Sequence, residues 1–242
     1  MRPFDLLIFD FDGTLADSAI GIAACMRAAF EEFGLEPPLP AQVRVRIGLK
    51  LEESIRQLTT GEVDVAAVAA RYRELHDSVA APAIALFAGA VEAVSAAKAA
   101  GMQLAVVSQK ARRGLRQLLA QFAITDRFDL VLGSDDVTAH KPDAALYERH
   151  IEPVLGSSRL QAEKFPAMPR HRVLVVGDTA TDIQFATNIG ASSCWAAYGY
   201  GNGQQCGWHL CNYGQQSGGG QLHDRLCPEH TDRHTDRFDD HR

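Results

Sequence analysis

Five short apolar runs set the strongest limit on what this chain can fold into. They are residues 5–9, 104–107, 128–132, 173–176 and 194–197. Runs this short, without strict alternation, read as strands buried on both faces, and such strands belong to parallel sheets. Between them the apolar spacing becomes helical. Residues 91–100 are Ala-rich and close at Gly101, which suits a helix C-cap. Residues 113–122 put Leu115, Leu118, Leu119 and Phe122 on one stripe. Residues 144–155 and 182–189 complete the set. Strand alternating with helix predicts an α/β fold, a doubly wound parallel sheet.

Residues 18–84 break the alternation. Helical patterns cover residues 20–33, 51–58 and 63–79, with Pro37, Pro38 and Pro40 after the first. An all-helical insert directly after the first strand predicts a small helical cap over 18–84, carried on a core made of 1–17 and 85–203. Residues 156–171 read as a loop. The last 39 residues, 204–242, differ from the rest: they hold three of the five cysteines and five of the nine histidines, and no Ala, Val, Ile, Met or Lys. They read as a disordered or atypical tail. Cys206, His209, Cys211, Cys227, His230 and His234 offer zinc ligands, but their spacing is not a standard zinc pattern and few apolar residues stand near to fold around a metal. The abrupt change in residue usage is also what a shifted reading frame would produce.

In an open parallel sheet, ligands bind outside the carboxyl ends of the strands, and the polar residues gather there. The first run ends in Asp10 and Asp12, the second in Ser108-Gln109-Lys110, and the third leads to Asp135, Asp136 and Lys141. The fourth ends in Gly177-Asp178-Thr179, with Asp182 after it. Asp10, Asp178 and Asp182 are hard oxygen ligands suited to Mg2+. Asp12 stands two residues from Asp10, where one carboxylate can attack while the other handles protons. Ser108 can hydrogen-bond a phosphate oxygen and Lys141 can neutralise its charge. Phosphoryl transfer needs this combination of metal, cation, nucleophile and acid/base. Asp135 and Asp136 read as solvated loop residues or a helix-capping feature rather than ligands.

These residues resemble a known family. Asp10-Phe11-Asp12-Gly13-Thr14-Leu15-Ala16-Asp17-Ser18 resembles the first motif of the haloacid dehalogenase-like (HAD) hydrolases in its phosphatase form. Val106-Val107-Ser108 resembles the second motif, Lys141-Pro142 the third, and the stretch from Gly177 to Asp182 the fourth. The helical insert and residues 195–201 are similar to the phosphoglycolate phosphatase-like branch. The resemblance implies a Rossmannoid core with a cap. It implies Asp10 as the nucleophile, forming an aspartyl-phosphate, and Asp12 as acid then base, with its backbone carbonyl on Mg2+. Thr14 and Ser108 would hold phosphate oxygens, Lys141 would steady nucleophile and phosphate, and Asp178 and Asp182 would serve the metal. The family often has Asn after the second-motif hydroxyl, where this chain has Gln109. Asp12 disfavours a dehalogenase, whose corresponding position is not Asp. A receiver domain would lack the cap, and a phosphate-binding protein without turnover would not need every carboxylate.

In the cap, Arg44, Arg46 and Lys50 surround Gly48. Arg46 is a candidate for a second anionic group of the substrate, the carboxylate of phosphoglycolate for instance; the alternative is a solvated basic face. His76 and Tyr72 read as ordinary helix residues. The expected partner is a small phosphorylated metabolite: phosphoglycolate first, then other sugar phosphates or nucleotides. A net charge of −6 supplies no basic surface for nucleic acid or an anionic membrane. No run approaches the ~18 apolar residues of a membrane span, and residues 1–8 do not resemble a leader. Five scattered cysteines suit a reducing, cytoplasmic setting. The sequence leaves the oligomeric state open.

Overall fold

The computed structural model describes residues 3–155 and 168–201, and the backbone of Leu210–Cys211. Its centre is a parallel sheet in the order β5-β4-β1-β6-β7-β8. Strand β1 is Leu6–Phe9, β4 is Gln103–Val107, β5 is Leu130–Leu132, β6 is Val173–Gly177, β7 is Ser192–Ala196 and β8 is Leu210–Cys211. Chain order turns back at β1, so the sheet is wound in both directions from it. The strands are apolar without alternation because both faces are covered. Leu7, Phe9, Leu104, Val106, Leu174 and Val176 enter one buried cluster. Leu6, Ile8, Ala105, Val107, Val173 and Val175 enter the other.

Register places the site. Phe9 pairs with Val106 on one side and with Val176 on the other, and Val107 pairs with Leu132. The residues just past these pairs therefore emerge together at one sheet edge: Asp10 after β1, Ser108 after β4, Asp178 after β6.

Helices α5 (Ala90–Ala99), α6 (Arg112–Gln121), α7 (Glu152–Leu155) and α8 (Ala180–Asn188) connect the strands. A wide turn over Tyr147–Ile151 leads into α7, so the regular part of the helix expected over 144–155 is shorter. Asp135 accepts the Arg112 N–H at the start of α6, and Asp136 accepts the Gly133 N–H.

The insert is helical: α1 (Ala19–Glu32), α2 (Pro40–Arg44), α3 (Leu51–Leu58) and α4 (Val65–Leu75), the last continuing into a wide turn over His76–Ala80. Two elements carry no periodic signal in the sequence. One is α2, which begins at Pro40 because proline suits the first helical position. The other is the antiparallel ribbon of β2 (Ala16–Asp17) and β3 (Ala85–Leu86), which carries the chain into the insert and back.

Two expectations need correction. Leu210 and Cys211 pair with Trp195 and Ala196, so this piece of the tail, expected to be disordered or atypical, extends the sheet. The backbone groups left open along β7 give it a partner. The rest of 204–242, with the proposed zinc ligands other than Cys211, lies outside the described residues, as does most of the loop expected over 156–171. Cys25 is a free, buried thiol, whereas Cys194 is disulfide-bonded, which departs from the expectation of reduced thiols throughout. Among the described residues, no helix is long and apolar enough to cross a membrane.

Candidate active site

The sheet edge gathers an unusual set of buried polar groups. Asp10, Asp12, Thr14, Ser108, Lys141, Asp178 and Asp182 are all buried. Asp10 and Asp12 leave β1 on a turn whose Gly13 has φ +86°. A Cβ there would stand 2.2 Å from Asp178 Oδ2, so only glycine lets this turn press against the carboxylate. Asp182 lies in the first turn of α8. Its carboxylate accepts the Thr179 N–H at 3.1 Å and the Thr179 hydroxyl at 2.7 Å, which closes the helix start and fixes the side chain.

Lys141 ties the motifs together. Its Nζ donates to Asp10 Oδ1 at 2.9 Å and to Asp182 Oδ1 at 2.6 Å. Ligand oxygens of Asp10, Asp178 and Asp182 all lie within 4.8 Å of one another. One ammonium does not balance three buried carboxylates. Burial, together with the charges of Asp182 and Asp178 and against the pull of Lys141, pushes Asp10 up to about 8. Burial and the Asp182 charge push Asp178 up to about 7, against the hydrogen bonds from the Tyr200 N–H and Thr14. Lys141 is held above its ordinary value by Asp10 and Asp182, which outweigh the effect of its own burial. Excess negative charge on three clustered hard oxygen donors fits a small divalent cation.

Thr14 has a partner that its motif position does not announce. Its hydroxyl donates to Asp178 Oδ1 at 3.0 Å and so orients that carboxylate. The reason is the Gly13 turn, which brings the loop against Asp178. Ser108 is buried at the cavity wall, and its Oγ accepts the Lys110 N–H at 3.1 Å. Gln109 also lines the cavity, with its buried Oε1 lacking a hydrogen-bond partner.

The insert closes the other side of a cavity of about 520 Å3, which contains Asp10, Asp12, Ser108 and Lys141 at one end. Arg46, Lys50 and the apolar Ile22, Met26, Val43 and Tyr72 line the remainder. Arg46 donates from Nη1 to the Gln42 carbonyl at 2.7 Å, and its buried Nε has no partner. Arg44 turns away, donating to the Gly199 carbonyl at 3.1 Å and lying 4.6 Å over the Tyr200 ring. The basic cluster thus divides into a cavity part and a strap between insert and core.

Sequence reasoning missed Lys110 and His76. Lys110 Nζ stands 3.3 Å from Asp12 Oδ1, with a side chain only 7% exposed. It also stands 3.3 Å from His76 Nε2. His76 is buried at the cavity wall, not an ordinary helix residue. Position in the second motif was the available signal for Lys110; none existed for His76, whose approach is purely tertiary.

Comparison with known proteins agrees with this geometry. The family model described as haloacid dehalogenase-like hydrolase matches residues 7–196. A phosphoglycolate phosphatase of Pectobacterium atrosepticum is 34% identical over 207 residues, covering 82% of this chain and 82% of that one. Tyrosine-protein kinase PtkA of Mycobacterium tuberculosis is 30% identical over 198 residues, covering 81% of this chain and 63% of its own length. Among solved structures, a haloacid dehalogenase-like hydrolase from Bacteroides fragilis superposes with a TM-score of 0.72 at 29% identity, covering 84% of this chain and 91% of that one. Fold, clustered motifs and these matches together make the chain a member of the haloacid dehalogenase-like hydrolases, a phosphatase of the branch that contains the phosphoglycolate phosphatases.

Proposed function

We propose that this protein hydrolyses a small phosphomonoester with Mg2+ as cofactor, through an aspartyl-phosphate on Asp10. The observation that carries the reading is the Lys141 bridge between Asp10 and Asp182, beside Asp178, at the end of the cavity between core and insert. Lys141 holds Asp10 Oδ1 and so orients the carboxylate, whose other oxygen attacks phosphorus. The Asp10–phosphorus bond forms as the ester P–O bond breaks, and Asp12 gives its proton to the departing alcohol. Asp12 then takes a proton from water, which attacks the same phosphorus and releases Asp10 and phosphate. Ser108 and the Lys141 ammonium meet the phosphoryl oxygens. Asp10, Asp178, Asp182 and the Asp12 carbonyl would hold Mg2+, which neutralises phosphoryl charge when bound.

Phosphoglycolate is the first substrate to test, with Arg46 and Lys50 in the cavity wall to meet its carboxylate. The cavity is within the range of sites for much larger ligands, and this favours sugar phosphates or nucleotides as the second choice. A panel of phosphomonoesters assayed with Mg2+ ranks them by kcat/KM. Asp10→Asn is expected to abolish turnover of every member while leaving the fold intact by circular dichroism. Turnover surviving in Asp10→Asn, or an inactive but folded parent protein, overturns the reading. Arg46→Ala should raise KM for phosphoglycolate far more than for a neutral monoester; equal effects would remove Arg46 from substrate recognition.

A further inference from the structure

We infer that Lys110, steadied by His76 of the cap, is the positioning residue for the acid/base Asp12; this rests on the proposed phosphatase chemistry and adds a part to it. Asp12 Oδ1 is buried and lacks a hydrogen-bond partner, and the group facing it is the Lys110 ammonium at 3.3 Å, an ionic contact without hydrogen-bond geometry. A buried carboxylate in contact with a buried ammonium is held by charge, and that contact takes up one oxygen and leaves the other for the leaving group.

Lys110 is in turn fixed from the cap. Its Nζ lies 3.3 Å from His76 Nε2. Burial first, and the Lys110 charge second, lower the His76 pKa and favour the neutral ring. Nε2 is then the acceptor and Nδ1 carries the proton, facing Asp77 Oδ1 at 3.4 Å. Asp77 is anchored by Arg113 Nη2 at 2.7 Å, on α6 of the core. The backbone is shaped for this approach. A Cβ on Gly114 would stand 3.0 Å from His76 Cε1, so glycine makes room for the ring on α6. A line of contacts thus runs Asp12–Lys110–His76–Asp77–Arg113, leaving the core at Lys110 and returning to it at Arg113. The Lys110–Asp12 arrangement is complete only when the cap segment His76–Ala80 is docked on α6.

The test uses leaving groups. p-Nitrophenolate departs with little help, whereas the alkoxide of an alkyl phosphate needs the Asp12 proton. Lys110→Met should therefore lower kcat for an alkyl phosphate at least about tenfold more than for p-nitrophenyl phosphate, within the ~10²–10⁴-fold that acid/base catalysis supplies. KM should change little. Lys110→Arg should restore part of the loss, and His76→Ala should show the same discrimination in weaker form. Equal losses on both substrates, or losses confined to KM, overturn the inference and make Lys110 a substrate-binding or purely structural group. Asp12→Asn is the reference. If Asp12→Asn shows no leaving-group discrimination, the acid/base reading of Asp12 fails; if it does and the Lys110 variants do not, only the Lys110 inference fails. Should Lys110→Met not fold, Lys110→Arg and His76→Ala still decide, because each keeps or removes the contact without emptying the Lys110 site.

Discussion

At Gly13 the backbone is left-handed and the position of a Cβ is taken by Asp178. Gly13→Ala is expected to cost about 1–3 kcal/mol from backbone strain alone, and more where Asp178 must move. Denaturant unfolding measures the first effect, and loss of the Mg2+-induced rise in Tm measures the second. Asp10, Asp12, Ser108, Lys141, Asp178 and Asp182 were readable because each follows a strand end or sits in a motif with fixed spacing. Thr14 shows where that reading stops. Its motif position does not announce the carboxylate, 164 residues away in sequence, that its hydroxyl meets. Chain packing supplies that partner.

The start of α1 shows the same thing among elements. Ser18 occupies the N-cap position yet makes no side-chain cap bond. The Tyr200 hydroxyl does the work instead, accepting the Ser18 N–H at 2.6 Å and the Ala19 N–H at 3.0 Å while donating to Asp17 Oδ1 at 2.9 Å. Arg44 lies over the same ring. Tyr200→Phe should therefore cost about 0.5–2 kcal/mol, the range for losing a helix cap, read as a lower midpoint in urea. A change within error would show that water replaces the hydroxyl. Helix α3 occupies the residues its sequence pattern predicts, 51–58, because acidic and basic residues complement its two ends and its apolar face is regular. The β2–β3 ribbon was illegible because two residues per strand carry no period.

For the whole molecule, the buried acid cluster links stability to pH and metal. Burial raises Asp10 to about 8 and Asp178 to about 7, well above their values in an unfolded chain. Between about pH 4 and 8 the folded metal-free protein thus keeps protons that the unfolded chain has released, and its stability falls as pH rises through that window. Thermal unfolding in EDTA should show the decline, and Asp10→Asn should flatten it. Adding Mg2+ at 100 times its Kd should add about 2.7 kcal/mol and weaken the pH dependence, because the cation replaces the protons. A Tm indifferent to Mg2+ at neutral pH would argue against the proposed metal site.

The sequence by itself determined the parallel sheet, the helical insert after the first strand and the carboxylates at the strand ends. Those depend on local periodicity, strand-end position and motif spacing, which are written along the chain. Tertiary structure alone decided which groups touch. It put Thr14 on Asp178, Tyr200 on the start of α1, and His76 on Lys110. These contacts join residues from 34 to 182 positions apart, and no local pattern encodes a pairing that forms only when sheet, helices and cap pack together.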